Sequence, residues 1–344
     1  MQQRQITLYI PGLLGSGALD PAFFQALELS ELELLLSRAS CRRYPGQGLE
    51  ASLFNLFGQT DHQSALPVAA VTHIADFGHP SETFCLRADP VHLQPDRDKV
   101  IMFGNQQLSV SMEEAGQLAD AFNHLFAEDG LTLETPVSNR WYVKGDKLAD
   151  IKTEPLRQVI GKDIHHHLPG GEHAMQWHSL LNEVQMLFYS NSVNEARRQR
   201  GLPEINSIWL WGEGALPTLA QDPWQQLWSN ETISTALAEI SNTPQATLPA
   251  SAEEWLEQAS QAGNHLVVIE AVADAMQQHD IQRWRDMIQT VNDDWLAPLI
   301  DALKMNTIGC ISLRTDQAKY EITAKGLKRW WKRRRPLAAL AKIS

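Results

Sequence analysis

The chain begins with a β-branched and aromatic run, Ile6-Thr7-Leu8-Tyr9-Ile10, which stops at Pro11-Gly12 and enters a loop with further glycines at 15 and 17. An apolar run of strand length closed by Pro-Gly predicts a buried strand feeding a loop. From Asp20-Pro21 to Ala39 apolar residues recur at helical spacing, with the Asp-Pro pair as the start signal. Residues 45–60 predict a second turn and helix, and PVAAVTHIADF, 67–77, reads as another buried strand.

The texture changes near residue 79. FCLRADPVHL and DKVIMFGNQQLSV read as two strands, MEEAGQLADAFNHLFAEDG as an amphipathic helix closed by Gly130, and RWYVKG as a further strand. That β-β-α-β order predicts a small α+β unit. A long helix is expected over 172–200. SIWLW, 207–211, then resumes the buried-strand character of the N-terminus, as do HLVVIEA, 265–271, and GCISLR, 309–314, with helices between them. The expected architecture is α/β: a mostly parallel sheet flanked by helices, built from 1–78 and 204–344 and interrupted by an α+β insertion at 79–203. SIWLW is expected in the same sheet as ITLYI.

The composition is that of an ordinary globular protein, 43% hydrophobic and 20% charged over 344 residues. The net charge of −12 gives a nucleic-acid partner no overall electrostatic support. One basic cluster, KRWWKRRRP from Lys328 to Pro336, reads as a solvated helix end stopped by proline; contact with an acidic partner or an anionic surface is the alternative. Three cysteines, Cys41, Cys85 and Cys310, without CxxC spacing fit a reducing compartment. No signal-peptide pattern is present and no apolar run approaches the roughly 18 residues of a membrane span. A cytoplasmic protein with neither membrane nor nucleic-acid partner is expected.

Few residues offer chemistry. The loop PGLLGSG matches no phosphate-binding fingerprint and lacks G-x-S-x-G, so it reads as a structural turn, and Ser16 is a poor nucleophile candidate. His165, His166 and His167, with His173 and His178 beyond, form the densest histidine cluster, but adjacent histidines point apart and no H-E-x-x-H accompanies them. Arg87, Asp89 and His92 lie on one predicted strand and Arg140 starts another. Arginines on strands suit bidentate binding of an anion; a salt-bridged strand surface is the equal alternative.

The run from Asn194 to Gly214, N-x-x-R-x-x-x-G-x-P-x-x-N-S-I-W-L-W-G-x-G, resembles the archaeal-type cofactor-independent phosphoglycerate mutases of the alkaline phosphatase-like superfamily. RADPVHL, EEAGQLADAFN, NRWYVKG and LPGGE fall in the order of that family's insertion domain. RADPVHL with RWY, NEVQM, SIWLWGEG and the terminal RRRPL is similar to a bacterial group of RpfE-type regulatory proteins. The resemblance implies an alkaline phosphatase-like core and a ligand-handling surface formed by Arg87, Asp89, His92, Arg140, Asn194, Arg197, Asn206, Gly212, Glu213 and Gly214, flanked by Arg198.

Those mutases use two metal ions held by Asp and His and a serine that is phosphorylated. Here Pro11 precedes Gly12 where the family has a ligating Asp, and Leu49 stands at the serine's place. Val268, Ala273 and Gln277 occupy His, Asp and His positions of a third motif, and Gln317 follows Asp316 where a His falls. Without ligands or nucleophile, two-metal phosphoryl transfer has no chemical basis. The expectation is a regulatory relative with no catalytic residue, metal or cofactor, binding a phosphorylated or carboxylated metabolite or a protein. The alternatives are an active mutase or phosphatase with ligands relocated to Asp274, His279, Asp280 and Asp316, and an interaction protein with a vestigial cleft.

Overall fold

The structure is a computed structural model and describes residues 3–15, 21–24, 27–59, 66–145 and 151–341. The chain forms two compact units, residues 1–59 with 219–344, and residues 60–218. The strands in chain order are β1 Arg4–Tyr9, β2 Ser40–Arg43, β3 Cys85–Asp96, β4 Lys99–Phe103, β5 Thr132–Val137, β6 Arg140–Lys144, β7 Ser207–Trp211, β8 Gln226–Trp228, β9 Gln245–Ala246, β10 Gly263–Val268, β11 Cys310–Arg314 and β12 Ala318–Ile322. Among the described residues no helix is long and apolar enough to cross a membrane.

The first unit holds a seven-stranded sheet in the order β2-β12-β11-β1-β10-β8-β9. The pairings from β11 through β9 are parallel, while β12 and β2 close one edge antiparallel. Strand alternation sorts the side chains onto two faces. Ile6, Leu8, Val267, Ile311 and Leu313 enter a core with Leu32 and Leu35 of helix Ser30–Arg38, Trp284 and Ile288 of helix Ile281–Thr290, and Leu299 and Leu303 of helix Ala297–Lys304. The opposite face carries Thr7 and Tyr9 beside Ser312 and Arg314, which they pair in register.

Helix Ser30–Arg38 has no side-chain cap of its own. Buried Asn292, on a π-helical stretch Val291–Leu296, supplies one from across the core. Its side-chain oxygen accepts from the Glu31 and Leu32 amides at 3.2 and 3.0 Å. Two of the helix's otherwise orphaned N–H groups are satisfied this way.

The second unit holds a five-stranded sheet, β4-β3-β6-β5, with β7 also paired to β3. Helix Met112–Leu125, closed at its start by a Ser111–Glu114 capping box, lays Leu118 and Phe122 onto Leu86, Trp141 and Val143.

Two expectations are corrected. Val68–Phe77 is a helix, not a strand, and stops at left-handed Gly78, φ 75°. A continuous apolar run does not distinguish a buried strand from a buried helix. SIWLW does not join ITLYI: β7 runs antiparallel to β3, with Trp211 opposite Arg87 and Ser207 opposite Val91. All five β7 residues are buried: β7 pairs with β3, and helix Ala174–Tyr189 packs on it. The expected core position beside β10 goes to β8. Helix Val68–Phe77 and β7 accordingly fall in the second unit, which runs from 60 to 218 where 79 to 203 was expected.

Candidate functional site

In the first unit, the four segments compared above with the mutase motifs meet at the carboxyl ends of β10, β1 and β11. Gly12 turns the chain after β1 with φ +76°, and a Cβ there would lie 3.0 Å from the Ala273 backbone. The Gly12 amide donates to Asp316 Oδ2 at 2.7 Å, and its carbonyl accepts from Trp284 Nε1 at 2.9 Å. The loop is a turn, as expected: Gly15 N donates to Gly12 O, and Leu13 and Leu14 enter the core. Ser16 and Gly17 lie outside the described residues. Tyr44 joins the corner through its amide to Gln317 O, at 2.9 Å, and its hydroxyl to Thr315 O, at 2.7 Å.

The residues of this corner do not fit two metal ions. Pro11, Leu49 and Ala273 offer no donor atom, and Asp316 already accepts a backbone amide. Among the described residues no three His, Cys, Asp or Glu side chains are placed to hold a metal ion. The relocated set is not assembled either. Asp280 accepts from Arg283 N at the start of helix Ile281–Thr290.

What the corner does contain is polar and buried. Burial pushes the Asp316 carboxyl up, with the Gly12 hydrogen bond opposing, and pushes the Tyr9 and Tyr44 hydroxyls up as well. Burial pulls the Arg314 guanidinium down, and the nearby Tyr44, Glu321 and Tyr9 act against that pull. Arg314 Nε and Ser312 Oγ are buried with no hydrogen-bond partner among the described residues. The Glu321 carboxylate, the acidic group facing Arg314, is held by Lys319 at 2.8 Å. Arg314 is a functional candidate the sequence reading passed over. Its signal was the alternation in CISLR, which puts a cation on the polar face at the carboxyl end of a parallel strand, where open α/β sheets handle ligands.

The ten sequence candidates all lie in the second unit, and they divide into two groups. Around the β3–β6–β7 junction, Arg87 forks onto Asp89, with Nη2 at 2.6 and 2.8 Å from its oxygens, and Trp211 Nε1 donates to the same carboxylate at 2.8 Å. The guanidinium also lies against the Tyr142 and Trp211 rings. Arg140 is held by Asp76, which accepts from Arg140 Nε at 2.6 Å and from the Tyr142 hydroxyl. Burial opposes the Arg140 charge, but Asp76 outweighs it and holds the guanidinium protonated. Gly212, φ +78°, accepts the Ala69 amide at 3.0 Å, and Glu213 binds the Thr153 amide and hydroxyl. Gly214 turns the chain onward with φ 131°.

The remaining candidates hold the connection into β7. Buried Asn194 bridges Phe188 O and Ile205, with three hydrogen bonds of 2.8 Å. Arg197 is buried on Glu114, Pro203 O and Leu108 O. Asn206 pairs with the Leu93 backbone and His92 Nδ1 with Glu204 O, while Arg198 reaches Glu204 at 2.9 Å on the surface. The histidines are likewise occupied singly: His165 by Asp163, His167 by Glu154 and His178 by Pro169 O. The ion pair of Arg87 with Asp89, the plain alternative, is what the strand contains.

No family model matches the chain. Among curated proteins it is similar to a probable 2,3-bisphosphoglycerate-independent phosphoglycerate mutase of Geobacter sulfurreducens, 26% identical over 189 residues, 54% of this chain and 47% of that protein. It is also 30% identical over 112 residues, 32% of this chain and 28% of the relative, to 2,3-bisphosphoglycerate-independent phosphoglycerate mutase 2 of Methanothermobacter thermautotrophicus. The chain is related to the cofactor-independent phosphoglycerate mutases. The matches span about half the length of the first relative and less of the second. Among solved structures, the PH0037 protein of Pyrococcus horikoshii superposes with a TM-score of 0.58 at 11% identity, covering 94% of this chain and 88% of that one. A cofactor-independent phosphoglycerate mutase of Thermoplasma acidophilum gives 0.49 at 15% identity over 94% and 90%. The fold is of the alkaline phosphatase-like class expected from the sequence.

Proposed function

We propose that the chain is a non-catalytic regulatory relative of the phosphoglycerate mutases, of the RpfE-type kind, that binds an anionic metabolite at the corner of its core sheet. The observation that carries this reading is Arg314. In a corner where no three metal-ligating side chains come together among the described residues, its Nε is buried with no hydrogen-bond partner and burial pulls its charge down. Buried polar groups are paired in nearly all folded proteins, and an unpaired one calls for water or a ligand. A phosphorylated or carboxylated small molecule supplies what the guanidinium lacks, a planar pair of acceptor oxygens. Arg87 and Arg140 support anion binding less, because an incoming anion competes with Asp89 and Asp76.

The test is calorimetric titration of wild type with inorganic phosphate and 3-phosphoglycerate, repeated on Arg314→Ala. Loss of one charge-assisted contact is worth about 1.5–3 kcal/mol, or roughly ten- to a hundredfold in Kd. Equal affinity in the variant would remove Arg314 from the site, and no affinity in the wild type would leave a vestigial corner. Interconversion of 3- and 2-phosphoglycerate at enzyme-like rates, abolished by EDTA, would instead restore the active-mutase reading.

A further inference from the structure

The cluster KRWWKRRRP has no part in that corner. It lies in the first unit, beyond the short helix Ala324–Leu327, and is an irregular segment rather than a continued helix. Several of its groups tie it to helix Ser30–Arg38 and the residue after it. Arg329 donates to Arg38 O, Lys332 to Ala39 O and the Arg335 amide to Ser37 Oγ, while Arg334 pairs with Glu33. Beyond it, the Leu337 amide donates to Glu33 and the Leu337 side chain is buried.

With the segment anchored at these points, its two indoles face solvent. Trp330 is 78% exposed and Trp331 64% exposed, side by side with their rings at 84°. Tryptophan is a highly buried residue on average, so two adjacent ones held outward by fixed neighbours mark an interaction surface. Glu33, the acidic side chain that the segment contacts, is already taken up by Arg334 and the Leu337 amide. Exposed Lys328 and Arg333 in the segment have no ion pair among the described residues.

We infer that this surface docks on an anionic lipid bilayer, with Trp330 and Trp331 entering the headgroup layer and Lys328 and Arg333 meeting lipid phosphates. Indoles with one apolar side and one polar N–H favour that interface. Exposed basic side chains beside it add attraction to an anionic leaflet over about a Debye length, so the net charge of −12 on the whole chain is screened at the distance of the remaining surface. A single-stranded nucleic acid fits less well, since perpendicular rings do not give successive bases a common stacking direction.

The full-length protein is to be sedimented with vesicles of phosphatidylcholine alone or with about 30% phosphatidylserine. Binding to the anionic vesicles is expected, with none to the neutral ones and loss in about 0.5 M NaCl. The double variant Trp330→Ala/Trp331→Ala should bind about tenfold or more weakly. Its melting curve should match wild type, because the replaced rings are exposed. Brominated lipid should quench wild-type fluorescence more than that of the double variant. Absence of binding to anionic vesicles, or equal binding by the double variant, would overturn the inference. So would tighter, Trp-dependent binding to an RNA oligonucleotide or an acidic peptide, which would give the surface to that class of partner. Phosphate affinity at Arg314 is independent of all these outcomes.

Discussion

The β3–β6–β7 junction of the second unit and the β1–β11 corner of the first are both built from arginine, carboxylate and aromatic side chains, yet they are in opposite chemical states. In the junction each cation is closed by a carboxylate of its own, Arg87 by Asp89 and Arg140 by Asp76, and Trp211 and Tyr142 donate to those same carboxylates. In the corner Arg314 has no such partner, and the acid beside it, Asp316, bonds to a backbone amide instead. The difference teaches that readiness to bind is set by what already satisfies a charge, not by the charge itself. A paired arginine is part of the scaffold, and a desolvated unpaired one is free to take a ligand.

Substitutions should separate the two states. The largest effect is expected in the junction, where Asp89→Ala leaves Arg87 buried without its partner, at a cost of about 3–5 kcal/mol. Urea unfolding measures it, and a loss near zero would mean that the pair does not hold the junction. A change of opposite sign is expected at Asp316, whose carboxyl is raised by burial above its ordinary value of 3.8. The folded chain then holds that proton more tightly than the unfolded one, so its contribution is full below pH 3.8 and is lost as the pH rises through the folded value. Asp316→Asn keeps an oxygen for the Gly12 amide and should gain stability over wild type across that rise, while matching it in more acidic solution. Urea melts at several pH values check this, and a variant that falls further behind with rising pH would reverse the assignment. The smallest stability change belongs to Arg314→Ala, expected within about 1 kcal/mol because no hydrogen bond is broken. A collapse of the fold there would make Arg314 scaffold like Arg87.

Much of the frame was legible in the sequence because it rests on local pattern. Ile6 and Leu8 against Thr7 and Tyr9, and Ile311 and Leu313 against Ser312 and Arg314, announce two-faced strands, and both runs are strands of the core sheet. The capped helix Met112–Leu125 was equally plain. What failed depended on partners distant in sequence. Val68–Phe77 buries Thr72 and His73 along with its apolar residues, so its helical period is hidden, and nothing in SIWLW says that its neighbour is β3 and not β10. The site followed the same rule. Arg87 and Asp89, two residues apart on one strand, fit either a ligand fork or an ion pair by spacing alone. Arg140 could not be matched to Asp76, sixty-four residues away. Arg314 escaped notice because its distinguishing property is a missing contact, which no spacing encodes.

The hydrogen bond from the Gly12 amide to Asp316 also bears on what a second acid in this corner would meet. An aspartate in place of Pro11 would enter a buried position one residue from the amide that already holds Asp316. It would bring a second carboxylate into a corner where burial has raised the first, and like charges penalise one another further unless a cation lies between them.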